Sequence, residues 1–78
     1  MGTKEEVVSL ICEVFDVKED EVNMDVSLYD SLGVDSTEMV ELRVAINKKL
    51  GINLSQGEIS NRHTPNQIIE IVEKKKSS

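Results

Sequence analysis

The sequence predicts an all-α fold, a small bundle of three main helices and one short helix with a long first loop. Apolar residues recur at helical spacing in three separate segments of the 78-residue chain. Four helix-start signals are identified, each a Ser, Thr or Asp that precedes a Glu or Gln by three positions. No segment shows the sustained apolar and polar alternation that is typical of a strand. We expect one domain, residues 1–78, because a chain of this length builds a single small core.

The first predicted helix covers residues 4–15. Thr3 and Glu6 have the spacing of a capping box, in which each side chain bonds the other residue's backbone N–H. The apolar residues that follow at helical spacing are Val7, Leu10, Ile11 and Val14. These positions share one face, so we expect an amphipathic helix that buries them.

Residues 16–34 are predicted to form the long first loop, with a short turn near residues 18–22. The isolated apolar residues of this segment, which follow neither a helical nor a strand period, are Val17, Val22, Met24, Val26, Leu28 and Leu32. We expect these side chains to hold the loop against the core. Loops of this length in compact domains are often functional.

The central predicted helix covers residues 35–50. Gly33 allows a backbone turn just before it, and Asp35 with Glu38 forms a second capping box. Gly51 follows at once and is the residue type that most often ends a helix. Ser55 and Glu58 then form a third box, which predicts that the short helix lies at residues 55–59.

Thr64 and Gln67 form the fourth capping box and begin the last predicted helix. Pro65 occupies the first helical position, where proline is tolerated because its missing N–H is not needed. The apolar residues that follow are Ile68, Ile69, Ile71 and Val72. Residues 74–78, with three lysines near the helix end, are expected to be frayed.

The charge of the chain argues against one class of partner and favours another. Its net charge is −6, whereas nucleic-acid binders need clustered Lys and Arg, so we predict no nucleic-acid binding. Residues 1–46 carry twelve acidic and three basic residues, a net charge of −9, and residues 47–78 carry three acidic and six basic residues, a net charge of +3. The acidic part is therefore the expected docking face for a basic partner.

Size, cysteine content and hydropathy restrict the function further. A domain of 78 residues is too small to build a substrate cleft with walls of its own, so we expect a protein that is not an enzyme and has no catalytic residues. Cys12 is the one cysteine, which excludes an internal disulfide and a zinc cluster and favours a reducing compartment. No apolar stretch approaches membrane-spanning length, so we predict a cytoplasmic protein without membrane insertion.

The central helix carries two apolar stripes rather than one. The stripe that we expect to be buried comprises Met39, Leu42, Ile46 and Leu50. Val40 and Val44 fall on the opposite side of the helix. In one interpretation these two valines pack against the long loop or the short helix. In the other they form a partly exposed surface for a partner protein, edged by Glu38 and Glu41. Both interpretations can hold, one for each valine.

Ser36 lies at the start of this helix, one position after Asp35. The first backbone N–H groups of a helix lack intrahelical partners and the helix dipole is positive there, so a phosphate ester on the Ser36 hydroxyl would lie in a favourable field. Serines at helix starts are common and usually only cap the helix. The position alone therefore does not assign a function.

Residues 32–42 read Leu-Gly-Val-Asp-Ser-Thr-Glu-Met-Val-Glu-Leu. This stretch resembles the attachment-site signature of the acyl carrier protein family, in which Gly-x-Asp-Ser-Leu is followed by an acidic residue and then by Val-Glu-Leu. The length, acidity, long first loop, short third helix and Thr-opened last helix are also similar to the family. The resemblance implies that a phosphopantetheinyl transferase moves 4′-phosphopantetheine from coenzyme A onto Ser36, which Asp35 flanks, and that the thiol of this arm carries acyl groups as thioesters.

The resemblance also implies partners, namely acyl-transferring and chain-elongating enzymes of fatty-acid or polyketide-type biosynthesis that present basic patches to a monomeric carrier. The docking residues that it assigns, beside Asp35, are Thr37, Glu38, Val40, Glu41 and Val44. Two features depart from the family pattern. Thr37 replaces the usual Leu, and Lys48 and Lys49 stand where many fatty-acid carriers keep acids. An aminoacyl or aryl carrier of a specialised pathway is therefore an alternative.

Three other interpretations have less support from the residues. Ser36 and His63 with an acid would suit a serine hydrolase, but residues 33–37 lack the second glycine of a nucleophile elbow. The acidic run at residues 16–25 lacks the central glycine and terminal Glu of a calcium loop, so no metal site is predicted. An unmodified helical adaptor that binds partners through the central helix would have the same composition.

Overall fold

A computed structural model describes residues 2–77. The helices are α1 (Thr3–Phe15), α2 (Leu28–Leu32), α3 (Ser36–Leu50) and α4 (Pro65–Ser77), with a single 3-10 turn at Glu19–Glu21. Over these 76 residues the chain contains no strand, and turns and irregular segments connect the helices. The predicted all-α bundle of three main helices and one short helix is confirmed.

The core lies where α1 packs against both α3 and α4. Its buried apolar side chains from the three long helices are Val7, Val8, Leu10, Ile11, Met39, Leu42, Ile46, Ile68, Ile69 and Val72. The connecting segments add Leu28, Val34, Leu54 and Ile59. Within residues 2–77 no polar or charged side chain is buried, so hydrophobic burial is the main force that holds the bundle together.

The first capping box was predicted wrongly. Gly2 is the N-cap of α1 and Thr3 is already helical, with no side-chain cap bond at this end. The Thr3 hydroxyl instead accepts a hydrogen bond from Lys76 Nζ at 3.1 Å, which links the start of α1 to the end of α4. Glu6 lies 4.0 Å from the same Lys76 ammonium. A contact between distant parts of the chain has therefore replaced the local one.

The short helix lies in the long first loop and not at residues 55–59. Ser27 caps α2 by accepting a hydrogen bond from Asp30 N at 3.1 Å, and Gly33 ends it with a φ of 68°. At residues 55–59 the chain makes only a turn, in which Glu58 N donates to Ser55 O at 3.1 Å. Gly57 has a φ of 91° in this turn, a left-handed conformation that a helix does not contain.

The long first loop is held against the core by four of the six apolar side chains predicted to do so, and Val17 and Val26 are not among them. Its partly buried apolar side chains that pack on the core are Val22, Met24 and Leu32, and Leu28 is fully buried. Backbone hydrogen bonds join α2 to residues 61–63, from Leu28 N to His63 O at 3.2 Å and from Tyr29 N to Asn61 O at 2.9 Å. The loop and the segment before α4 therefore form one connected layer.

The last helix begins as the sequence predicts. Thr64 N donates to Gln67 Oε1 at 2.9 Å and Gln67 N donates to Thr64 Oγ1 at 3.1 Å, which completes the capping box. Pro65 is the first helical residue. The helix continues through Ser77, whereas fraying was expected from residue 74 onward; Ser78 lies outside the described residues.

Candidate functional site

Ser36 is the first residue of α3 and its side chain is exposed. Asp35, directly before it, is the N-cap and accepts a hydrogen bond from Glu38 N at 2.8 Å through its Oδ1. Glu38 Oε1 in turn accepts from Asp35 N at 3.1 Å. The predicted capping box is confirmed. Both capping bonds join Asp35 and Glu38, so the Ser36 hydroxyl is not used to cap the helix.

The turn that precedes Ser36 is fixed from two sides. Gly33 adopts a φ of 68°, a left-handed conformation in which a side chain would be strained. Val34 is buried, with only 2% of its surface exposed. The Asn61 side chain donates to Val34 O at 2.7 Å. Asn61 therefore positions the turn, a role that its place in the sequence does not indicate because the bond spans 27 residues.

The charges around Ser36 are uneven along α3. Glu38 is partly exposed and Glu41 is exposed, and both lie within two turns of the helix start. Lys48 and Lys49 occupy the last turn, where cations complement the negative end of the helix dipole. The helix thus presents carboxylates beside Ser36 and ammonium groups at its far end.

The two apolar stripes of α3 have different environments. Met39, Leu42 and Ile46 are buried, as predicted for the first stripe, and Leu50 is partly buried. Val40 is 42% exposed and Val44 is 52% exposed. Val40 also lines a cleft together with Gln56, Gly57 and Ile59, whereas Val44 does not. The exposure of both valines agrees with the interpretation as a partly exposed strip.

A cleft of about 210 Å³ opens next to Ser36, between α3 and residues 56–61. The residues that line it are Ser36, Met39, Val40, Arg43, Gln56, Gly57, Ile59, Ser60 and Asn61. Met39 and Ile59 are largely buried and supply an apolar floor. The sequence did not predict this cleft, because one of its walls is an irregular segment that was expected to be helical.

Two polar side chains of α3 hold the segment that leads into this wall. Asn47 makes a pair of hydrogen bonds with the backbone of Leu54, from its Nδ2 to Leu54 O at 3.2 Å and from Leu54 N to its Oδ1 at 2.8 Å. Arg43 Nη1 donates to the same carbonyl oxygen at 3.2 Å. Both residues were missed, since nothing in the sequence shows that a helical Asn and Arg contact backbone atoms 7 and 11 positions away.

An ion pair attaches the same wall to α4. Lys75 Nζ donates to both carboxylate oxygens of Glu58, at 2.8 and 3.0 Å. This hydrogen bond lowers the pKa of the Glu58 carboxyl below its ordinary value, and hydrogen bonds from Ser55 act in the same direction. The pair is partly exposed to solvent, where ion pairs contribute little to stability.

Within residues 2–77 the remaining reactive groups form no second site. His63 Nδ1 accepts a hydrogen bond from Ser60 N at 2.9 Å, and among the described residues His63 has no hydrogen bond to Ser36. Burial raises the pKa of the Cys12 thiol, and nearby carboxylates raise it further. Residues 2–77 contain no cluster of three or more His, Cys, Asp or Glu side chains that could hold a metal ion. No helix in this range is long and apolar enough to span a bilayer.

The chain is similar to known proteins over most of its length. Residues 5–72 match the family described as "Phosphopantetheine attachment site". The chain is 32% identical to an acyl carrier protein of Buchnera aphidicola over 72 residues, which cover 92% of this chain and 90% of that protein. The chain belongs to the acyl carrier protein family. An acyl carrier protein of Solidesulfovibrio magneticus is 32% identical over 76 residues, 97% of each chain, and one of Petrotoga mobilis is 31% identical over 71 residues, 91% of this chain and 84% of that protein.

Membership of this family gives the chain a covalently attached 4′-phosphopantetheine. An attached arm of this kind supplies a flexible thiol that can hold an acyl group as a thioester. The residues near the start of α3 fit such a group, because Ser36 offers an exposed hydroxyl that takes no part in helix capping. The first N–H groups of α3 can face the phosphate oxygens of the ester. Acyl carrier proteins act as carriers rather than as catalysts, which agrees with the small size of the domain.

Proposed function

We propose that Ser36 is the residue that carries the 4′-phosphopantetheine arm, and that acyl intermediates travel on its thiol between biosynthetic enzymes. One observation supports this assignment above all others. The Ser36 hydroxyl is exposed at the head of α3, while the capping box of Asp35 and Glu38 satisfies the helix end without it. The hydroxyl is therefore both accessible and available for an ester bond.

The loading reaction needs a separate transferase and coenzyme A. The Ser36 oxygen forms a bond to the phosphorus that bears the pantetheine arm, and the phosphoanhydride bond of coenzyme A breaks. Adenosine bisphosphate leaves, and the hydroxyl proton passes to a base on the transferase. The chain itself positions the Ser36 hydroxyl for this reaction. Ser36 is held at one place on the surface by the bond from Glu38 N to Asp35 and by the bond from Asn61 to the Val34 carbonyl.

The docking face extends along α3 from Ser36. Glu38 and Glu41 would meet basic patches on the transferase and on acyl-transferring and chain-elongating enzymes, since opposite charges steer the encounter. Val40 and Val44 offer exposed apolar contacts between these charges and the helix end. Thr37, also exposed, would add a polar contact where a carrier with Leu has an apolar one.

The acidity of this face favours fatty-acid or polyketide-type biosynthesis as the setting, with an aminoacyl or aryl carrier as the alternative. Lys48 and Lys49 restrict the acidic surface to the first turns of α3, which supports partners of a dedicated pathway. Three statements remain predictions: the chain is not an enzyme, it is a single monomeric domain, and it resides in the cytoplasm.

The experiment that tests the attachment residue combines intact mass with matched variants. Wild type, Ser36→Ala and Ser60→Ala are incubated with coenzyme A and a broad-range phosphopantetheinyl transferase. Ser60 is the matched control because its hydroxyl belongs to the same cleft. We expect one phosphopantetheine on the wild type and on Ser60→Ala, and none on Ser36→Ala. A wild type that stays unmodified with several transferases would favour the unmodified adaptor instead.

A further inference from the structure

We propose that Arg43 makes the cleft beside Ser36 a binding site for a short acyl group that ends in a carboxylate. This inference rests on the proposed function, because the acyl group reaches the cleft on an arm attached to Ser36. It goes further in naming the chemistry of the cargo and the residue that selects it.

The charge of the cleft differs from that of the surface around it. Among the nine residues that line the cleft, Arg43 is the only charged one, on a chain whose net charge is −6. Arg43 is partly buried, and within residues 2–77 no carboxylate forms an ion pair with it. A guanidinium has five N–H donors, and one bond, to Leu54 O, is observed. The guanidinium can therefore donate hydrogen bonds to a carboxylate, for which its planar fork is suited.

Arg43 lies on the same helix as Ser36 and lines the same cleft. Seven residues separate Ser36 from Arg43 on one helix, which is about 10 Å at 1.5 Å per residue. The floor between them is formed by Met39 and Ile59, which suits methylene groups. The cleft thus has an apolar floor, and Arg43 lines it together with the uncharged polar residues Gln56, Ser60 and Asn61.

The two probes differ only in the end group that would meet Arg43. Beyond its thioester carbonyl, a hexanedioyl group has four methylene groups and a carboxylate. A 6-methylheptanoyl group has the same shape, with an isopropyl group in place of the carboxylate, and is therefore the matched neutral probe.

The test loads the full chain with each probe from the corresponding acyl-coenzyme A and compares melting temperatures with that of the unacylated, arm-bearing form. For the wild type we expect hexanedioyl to raise the melting temperature by about 5 °C more than 6-methylheptanoyl does. Arg43→Met keeps a long side chain without the charge, so its melting temperature should be higher with 6-methylheptanoyl than with hexanedioyl. Arg43→Lys keeps the charge, so its melting temperature should stay higher with hexanedioyl, by a smaller difference than in the wild type.

A control variant separates cargo selection from support of the fold. Asn47→Ala weakens the same attachment of Leu54 without changing the charge of the cleft, so it should melt earlier than the wild type but keep its order of probes. A second measurement avoids variants altogether: in the wild type the NMR resonance of Arg43 Nε–H should shift with hexanedioyl and not with 6-methylheptanoyl.

Several results would overturn the proposal. The wild type could prefer 6-methylheptanoyl or show no preference, Arg43→Met could keep the wild-type order, or the Arg43 resonance could stay unchanged with hexanedioyl. Intact mass of the same samples keeps this failure distinct from failure of the proposed function. Samples that carry the arm on Ser36 without a cargo preference reject only the role of Arg43, whereas samples that never acquire the arm reject the attachment residue.

Discussion

Reversal of the charge at Glu41 should slow loading of Ser36 without weakening the fold. Glu41 is exposed on α3 and forms none of the observed capping bonds, so Glu41→Lys should change the free energy of unfolding by less than about 0.5 kcal/mol. Glu38 is different, because its carboxylate accepts the hydrogen bond from Asp35 N at 3.1 Å. Glu38→Gln removes the charge and keeps this acceptor, whereas Glu38→Lys removes both and should cost about 1 kcal/mol.

The size of the effect follows from the exposure of Glu41. Two unit charges about 8 Å apart in water interact by about 0.5 kcal/mol, so a reversal changes the encounter energy by about 1 kcal/mol. Loading by a transferase with a basic docking patch should then slow about fivefold at 0.01 M salt. The difference should fall to about twofold at 0.1 M salt and vanish near 1 M salt, as the screening length falls from about 30 Å to 3 Å. Glu38→Gln should slow loading about twofold at low salt.

The assay measures the initial rate of phosphopantetheine transfer by intact mass at each salt concentration, beside urea unfolding of the same variants. Glu70→Lys, a charge reversal at an exposed position of α4, is the matched control and should load at the wild-type rate. Equal slowing by Glu70→Lys would mean that net charge matters and the α3 face does not. A slow rate for Glu41→Lys that persists at 1 M salt would refute the electrostatic reasoning.

Three further predictions concern the stability of the fold. Asp35→Ala removes the N-cap of α3 and should lower the free energy of unfolding by about 1 kcal/mol in urea titrations, while Asp35→Asn should retain most of it. Leu42→Ala empties a fully buried position and should cost about 2–5 kcal/mol by the same measurement; a smaller loss would mean that the core is looser than described. The pKa of Glu58 is lowered in the fold, so its stabilising contribution is present above its unfolded pKa of about 4.3 and is lost as pH falls through the folded value. Wild type should therefore lose more stability than Glu58→Gln between about pH 6 and 3, and parallel curves would show that the bond from Lys75 has no such effect.

The helix ends show how far local sequence signals determine structure. Asp35 with Glu38 and Thr64 with Gln67 form their boxes, and within residues 2–77 these four side chains have no other observed hydrogen-bond partner. Thr3 has the same pattern, but its hydroxyl bonds Lys76, 73 residues away. A tertiary contact of this kind cannot be predicted from spacing alone, because it depends on where α4 ends.

The position of the short helix was predicted wrongly for a similar reason. α2 has only five residues, too few for a helical period to be visible against the isolated apolar residues around it. Residues 55–59 form half of the predicted box, in which Ser55 N donates to Glu58 Oε1 at 2.7 Å. Glu58 also bonds Lys75 of α4, and Gly57 takes a left-handed conformation. Local propensity predicted the number of helices, and packing decided which segment became the short one.

Site residues could be predicted where their arrangement depends on one helix alone. Contacts between distant segments of the chain could not be predicted. Val40 and Val44 were identified as a second stripe from spacing within α3, and their exposure agrees with a contact surface. Arg43 and Asn61 were missed because their bonds are made to the carbonyls of Leu54 and Val34, far along the chain. The cleft itself exists only once α3 and residues 56–61 come together.

The most direct test of the central claim is fragment mass spectrometry of the protein purified from its native cells. The chain is digested, and the peptide that contains residues 33–42 is sequenced in the spectrometer together with its attached group. We predict that phosphopantetheine is found in this peptide and that the fragments place it on the Ser36 side chain. Phosphopantetheine on any other residue, or complete recovery of this peptide without an attached group, would contradict the assignment.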